Sequence, residues 1–170
     1  MATGASRAQR FRALQDLLAG VAAASPPAPA PGAEALAATQ GAAPSGTGAP
    51  PGEAALVGLA ALLPDAVVQQ ALHIIDAGGV SRVQSQRGRC VYEVRGKKLS
   101  HLVLPYGLYC SCPYFGRRVL KEGELCCKHW LAVQLARRCG LGIASSSTLG
   151  EDQFAEWAQE HLVGPPVPGW

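Results

Sequence analysis

Tyr109–Leu131 reads YCSCPYFGRRVLKEGELCCKHWL, and the fold of the chain turns on how its sulfurs and imidazole are read. Cys110 and Cys112 stand two apart, so on a strand both thiols project from one face. Fourteen residues then intervene before Cys127-Lys128-His129, at the mouth of a stretch with helical periodicity through Trp130, Leu131, Val133 and Leu135. Zinc takes four soft or borderline ligands in a tetrahedron, and three cysteines with one histidine are a standard structural set. The expected ligands are therefore Cys110, Cys112, Cys127 and His129, holding one structural Zn²⁺ with no position left for a reacting water. Cys126 competes with Cys127 for the third place; the Cys127 spacing is preferred, because Cys126 would stand three residues from the histidine. Cys90 and Cys139 read as small core residues, and His73, His101 and His161 as surface or satisfied polar groups.

Upstream of this stretch the hydrophobic period is two. Val80–Gln84, Cys90–Val94 and Leu99–Leu104 read as strands, with Gln86-Arg87-Gly88 and Gly96-Lys97-Lys98 as the turns. Turns this short require an antiparallel meander, expected to be apolar on one face and basic on the other. Before the strands, Glu53–Leu63 reads as a helix without a polar face, broken at Pro64. A second helix follows from Asp65 to Ile75 with Val67, Val68, Ala71, Leu72 and Ile75 on one stripe, stopped by Gly78-Gly79. Downstream, Arg137, Arg138 and Gly140 close the helix after the histidine. A last helix carries Phe154, Trp157, Ala158 and Leu162, with Thr148 and Glu151 at capping-box spacing. The fold class is thus α+β: a small antiparallel meander with flanking helices and a Cys₃His finger over about residues 108–138.

The 170 residues divide unevenly. Val21–Gly52 contains 12 Ala, 7 Pro and 5 Gly among 32 residues, too little apolar surface to offset the entropy of ordering. It is expected to be a disordered linker, residues 21–52, between an amphipathic helix at 1–20 and a domain at 53–140; residues 141–170 hold the acidic last helix and tail. Arg7, Arg10 and Arg12 also suit an organellar presequence, although Asp16 does not. No secretory signal or bilayer-spanning run is expected, which favours metal over disulfides for the six cysteines. Charge is concentrated as well. Val80–Gly140 has twelve basic residues against three acids, whereas Leu141–Trp170 has four acids and no bases. Such a surplus points to a polyanionic partner. Tyr109, Tyr114, Phe115 and Trp130 lie among the bases, but Phe115 and Trp130 are expected to pack beneath the metal.

Cys110-Ser111-Cys112-Pro113, Phe115, Cys127-Lys128-His129 and the following Leu131-Ala132 resemble the SWIM zinc finger. Gln69-Gln70-Ala71-Leu72 and Val91-Tyr92-Glu93-Val94, in that order before the finger, resemble the small SWIM proteins of Shu complexes over about residues 53–140. That resemblance implies a non-enzymatic, nuclear partner of a RecA-like recombinase paralog. The pair supports recombinase filaments on single-stranded DNA in homologous recombination repair and meiosis. Phosphate contact is then expected from Arg117, Arg118, Lys121, Lys128, Arg137 and Arg138. The apolar Leu56, Leu59, Leu62 and Leu63 are expected to form the partner interface. The alternative is an adaptor that binds only proteins, in transcription or ubiquitin transfer. An enzyme is disfavoured: the chain has no phosphate-binding loop ending in Lys-Ser/Thr, no nucleophile elbow and no carboxylate pair beside the ligands.

Overall fold

The computed structural model describes residues 5–23, 51–96, 99–140 and 142–163. The elements run α1 (Arg7–Ala23), α2 (Pro51–Leu62), α3 (Asp65–Asp76), β1 (Val80–Ser85), β2 (Cys90–Arg95), β3 (Ser100–Leu104), β4 (Tyr109–Cys110), a π-helical segment (Phe115–Lys121), α4 (Lys128–Cys139), β5 (Ile143–Leu149) and α5 (Glu151–Val163). The Ala/Pro/Gly-rich stretch falls largely outside the described residues. Its two ends do not: Val21 is buried in α1, and Pro51 opens α2.

The expected meander is present. β1 pairs antiparallel with β2 from Val80↔Val94 to Gln84↔Cys90, β2 with β3 from Tyr92↔Val103 to Arg95↔Ser100, and β3 with β4 at Val103↔Cys110. The sheet is nevertheless mixed, because β5 joins β1 in parallel and gives the order β4-β3-β2-β1-β5. The run Ala144–Thr148 is exposed, so backbone pairing with β1 at the sheet edge, with Gln84 Nε2 donating to Thr148 Oγ1 at 3.0 Å, holds it extended. No apolar alternation marks such a strand in the sequence. Gly142, at φ +72, makes the turn into β5; a Cβ there would lie 2.4 Å from Ile75 Cγ2, and only glycine fits.

Both faces of the sheet are covered, which corrects the expectation of one basic face. Val80, Tyr92, Val94 and Val103 pack against the layer of α1 to α4. Val83, Val91 and Leu102 pack under Phe154 of α5, with Trp157 beside them. Alternation places Leu102 and Val103 on opposite faces, as the pleat requires. At the centre lies α4, whose residues His129 to Ala136 are all buried. A helix wrapped on every side needs no polar stripe.

Helix α1 sits on this centre. Leu14, Leu18 and Val21, spaced by four and three, are buried against α2 and α4, and Phe11 lies 6.1 Å from the Trp130 ring. Consequently Leu59 and Leu63 of α2 are core residues, closed off from any partner, and Leu62 is partly buried beside them. Only Leu56, 40% exposed, remains open among the four leucines expected to form an interface, together with its neighbour Val57 at 65%. The chain supplies its own cover because residues 7–23 return to pack over α2. Among the described residues no helix is long and apolar enough to cross a membrane.

Candidate metal centre

Cys110 ends β4, held by the Val103↔Cys110 pair. The strand stops there; Cys112 instead opens the turn into the π-helical segment, with Phe115 N–H donating to its carbonyl at 3.0 Å and to its Sγ at 3.3 Å. The two thiols therefore converge through a turn and not through a continuing strand. Cys127 is the N-cap of α4, extended at φ −98 and ψ 163, and its Sγ accepts from Trp130 N–H at 3.5 Å. His129 follows in the first turn, its Nδ1 3.9 Å from Cys110 Sγ. A strand end, a turn and a helix start thus deliver four buried donors whose ligand atoms all lie within 4.8 Å of one another.

The donor set fits zinc. A Zn–S bond of about 2.3 Å puts tetrahedral sulfurs roughly 3.8 Å apart, inside the 4.8 Å that bounds all four ligand atoms here. Three thiols this close cannot all ionise alone. Hydrogen bonds from Cys110 and Cys127 hold Cys112 far below the ordinary thiol range, while Cys112, Cys127 and burial push Cys110 far above it. A bound dication removes that conflict and expels the remaining thiol protons. The cluster can hold one zinc with every tetrahedral position filled by protein, the arrangement of a structural site.

The neighbours sort the remaining cysteines and histidines. Cys126 is buried in the apolar cluster, its thiol raised chiefly by desolvation, and it lies outside the ligand group. Cys90 and Cys139 are half-buried against the core. His101, expected to be a surface or satisfied polar group, has its ring 4.5 Å from that of His129; burial first, then His129, lowers its pKa. The signal was in the pairing: continuing the Val103↔Cys110 register by two residues sets His101 opposite Cys112. His101 and His129 also line a cleft of about 290 Å³ together with Val67 and Lys128. His161 stacks on Trp157 at 4.3 Å, and His73 is exposed on α3.

Phe115 and Trp130 are buried as expected, and Trp130 Nε1 donates to Gly107 O at 2.8 Å. Of the six bases expected to contact phosphate, Lys121 is exposed at the end of the π-helical segment, and the other five divide into two groups. Arg117 pairs with Glu122 at 3.5 Å, and Arg118 with both Glu122 and Glu124, so carboxylates of the same segment offset their charge. Lys128 donates to Gln70 Oε1 at 2.8 Å. Arg137 donates to Pro105 O at 3.1 Å and Arg138 to Gln15 Oε1 at 3.1 Å, both neutral acceptors. Arg7 reaches from α1 to Val119 O at 2.8 Å, tying the first helix to the segment between the ligand pairs.

Among known proteins, the chain is 35% identical over 96 residues to zinc finger SWIM domain-containing protein 7 of Homo sapiens, a match covering 54% of this chain and 69% of that protein. The protein of the same name from Mus musculus is 41% identical over 75 residues, covering 41% of this chain and 49% of its own. That from Danio rerio is 39% identical over 74 residues, covering 42% and 53%. The chain thus spans about half the length of the mouse and fish relatives. No protein-family model and no solved structure matches.

Proposed function

The chain belongs to the zinc finger SWIM domain-containing protein 7 family, and from that premise we propose that it serves as a non-enzymatic subunit of a Shu-type complex. In this reading it joins a RecA-like recombinase paralog in the nucleus. The pair supports recombinase filaments on single-stranded DNA during homologous recombination repair of double-strand breaks and meiotic recombination. The observation that carries it is the closed Cys₃His set, buried where β4, the π-helical segment and α4 meet. A metal so enclosed would have no open position for a reacting water, which supports a structural, binding role. The outward side of α2 supports a protein partner, since Ala54, Leu56, Val57, Ala60 and Ala61 are exposed there without one charged neighbour between them.

Co-purification of the tagged full chain from cell extract, with the companions identified by mass spectrometry, tests this directly. A recombinase paralog is expected, and Leu56→Asp with Val57→Asp should release it while one zinc per chain is kept. Leu59→Asp would be the wrong probe, because it places a charge in the core and unfolds the domain. Recovery only of transcription or ubiquitin-transfer proteins would refute the recombination reading. The second reading, an adaptor with no nucleic-acid contact, draws on the pairing of Arg117 and Arg118 with Glu122 and Glu124. Salt-dependent binding of single-stranded oligonucleotide distinguishes the two.

A further inference from the structure

The turn between β3 and β4 is held from below by α4. Three side chains of that helix donate to its carbonyls: Trp130 Nε1 to Gly107 O at 2.8 Å, Gln134 Nε2 to Pro105 O at 2.9 Å, and Arg137 Nη1 to Pro105 O at 3.1 Å. At its tip the turn presents Tyr106, 85% exposed, with the Arg137 guanidinium 4.7 Å from the ring centroid. One ring face is thus covered by a cation and the other meets solvent. Beside it runs a groove of about 380 Å³ between the turn, α1 and α4, lined by Tyr106, Gln15, Arg137 and Arg138 with no carboxylate among its lining residues. Among the described residues the two arginines bond only to neutral oxygens, so their positions are fixed without loss of charge. Arg117 and Arg118, in contrast, face glutamates.

An exposed, rigidly mounted aromatic beside two uncompensated guanidiniums matches one ligand chemistry: an unpaired base stacked on the ring, with its phosphates on the arginines. Mounting the ring on a tethered turn lowers the entropy cost of binding. We infer that the groove between the β3–β4 turn, α1 and α4 is a single-stranded nucleic-acid subsite, with Tyr106 as the stacking platform and Arg137 and Arg138 as phosphate contacts. The inference rests on the reading that this chain itself touches DNA, and it narrows the six bases expected to contact phosphate to Arg137 and Arg138 of the groove.

The test uses the zinc-loaded full chain and a fluorescein-labelled 20-nucleotide oligothymidylate, followed by anisotropy across a salt series. Tyr106→Ala should weaken binding about tenfold, the loss expected of one stacked base. Tyr106→Phe should bind like the parent, and both variants should keep one zinc and the parent melting temperature. Arg138→Gln should lower the slope of log K against log salt by about 0.7, the value for one single-strand phosphate contact, and Arg117→Gln should leave it unchanged. If the parent chain does not bind the oligonucleotide, both the subsite and the broader reading of direct DNA contact fail. If the parent binds and Tyr106→Ala and Arg138→Gln bind equally well, the groove is refuted while direct contact stands. A polyglutamate that displaces the oligonucleotide as well as unlabelled oligothymidylate, with Tyr106→Ala weakening both alike, would make the groove an acidic-peptide site and overturn the proposal.

Discussion

Cys127 caps α4 with the same sulfur that completes the Cys₃His group, whereas the thiol of Cys126 is buried in the apolar cluster and raised by desolvation. One position decides between ligand and core. Cys127→Ala should therefore abolish zinc binding, measured as metal per chain by mass spectrometry of the purified protein. Cys126→Ala should keep one zinc and lose about 1 kcal/mol of unfolding free energy, the scale of a small buried truncation. The opposite pattern would move the third ligand to Cys126. The four ligands could be read from spacing because Cys-x-Cys and Cys-x-His each form a local pair within one turn or strand end. His101 could not, since it meets His129 only through the register of two strands and carries no local pattern of its own.

At the scale of elements, α5 shows why part of the architecture escaped the sequence. Its apolar residues Phe154 and Trp157 were legible by helical spacing, but what they cover was not, because Val83, Val91 and Leu102 read equally well as the odd positions of a one-sided sheet. The expected capping box also resolves differently. Thr148 lies in β5 and accepts from Gln84, while Gln153 Oε1 accepts from Gly150 N–H at 3.2 Å. Glu151 instead crosses to the β1–β2 turn, accepting from Arg87 N–H at 2.9 Å and pairing with Arg89. The Arg87 amide, then Arg89, holds the Glu151 carboxyl below its usual range. A depressed folded pKa stabilises above the unfolded value, near 4.3, and that contribution fades as pH falls through the folded value. Glu151→Gln should accordingly speed amide exchange in α5 by the same factor at pH 7 and pH 5.5, and the difference from the parent should vanish below the carboxylate range. A gap that widens on acidification would mean that Glu151 does not anchor the helix as an anion.

Across the whole molecule the Cys₃His group and the first helix share one core. α4 starts at two members of the Cys₃His group, Cys127 and His129, and its buried face carries Trp130 against Phe11 of α1. Arg7 holds Val119 O and Glu124 O in the segment that links the ligand pairs. Leu14 and Leu18 then close over Leu59 of α2. From the sequence, residues 1–20 read as an element apart, because an Ala/Pro/Gly stretch follows them and no local pattern records a contact more than a hundred positions away. The physical consequence is that metal affinity and α1 docking are linked: whatever frees the start of α4 also removes the floor beneath α1. Stripping zinc with a strong chelator should raise amide exchange across Leu14–Val21 along with that of α4, and re-addition of zinc should restore both. The melting temperature should fall by more than 10 °C or so, since losing a structural metal from a small core removes several kcal/mol. Arg7→Ala together with Phe11→Ala provides the reciprocal measurement. It should increase the rate at which chelator extracts zinc while leaving one zinc per chain at equilibrium. If chelation unfolds α4 and leaves the exchange of Leu14–Val21 unchanged, α1 does not depend on the metal-bound core, and the linkage is refuted.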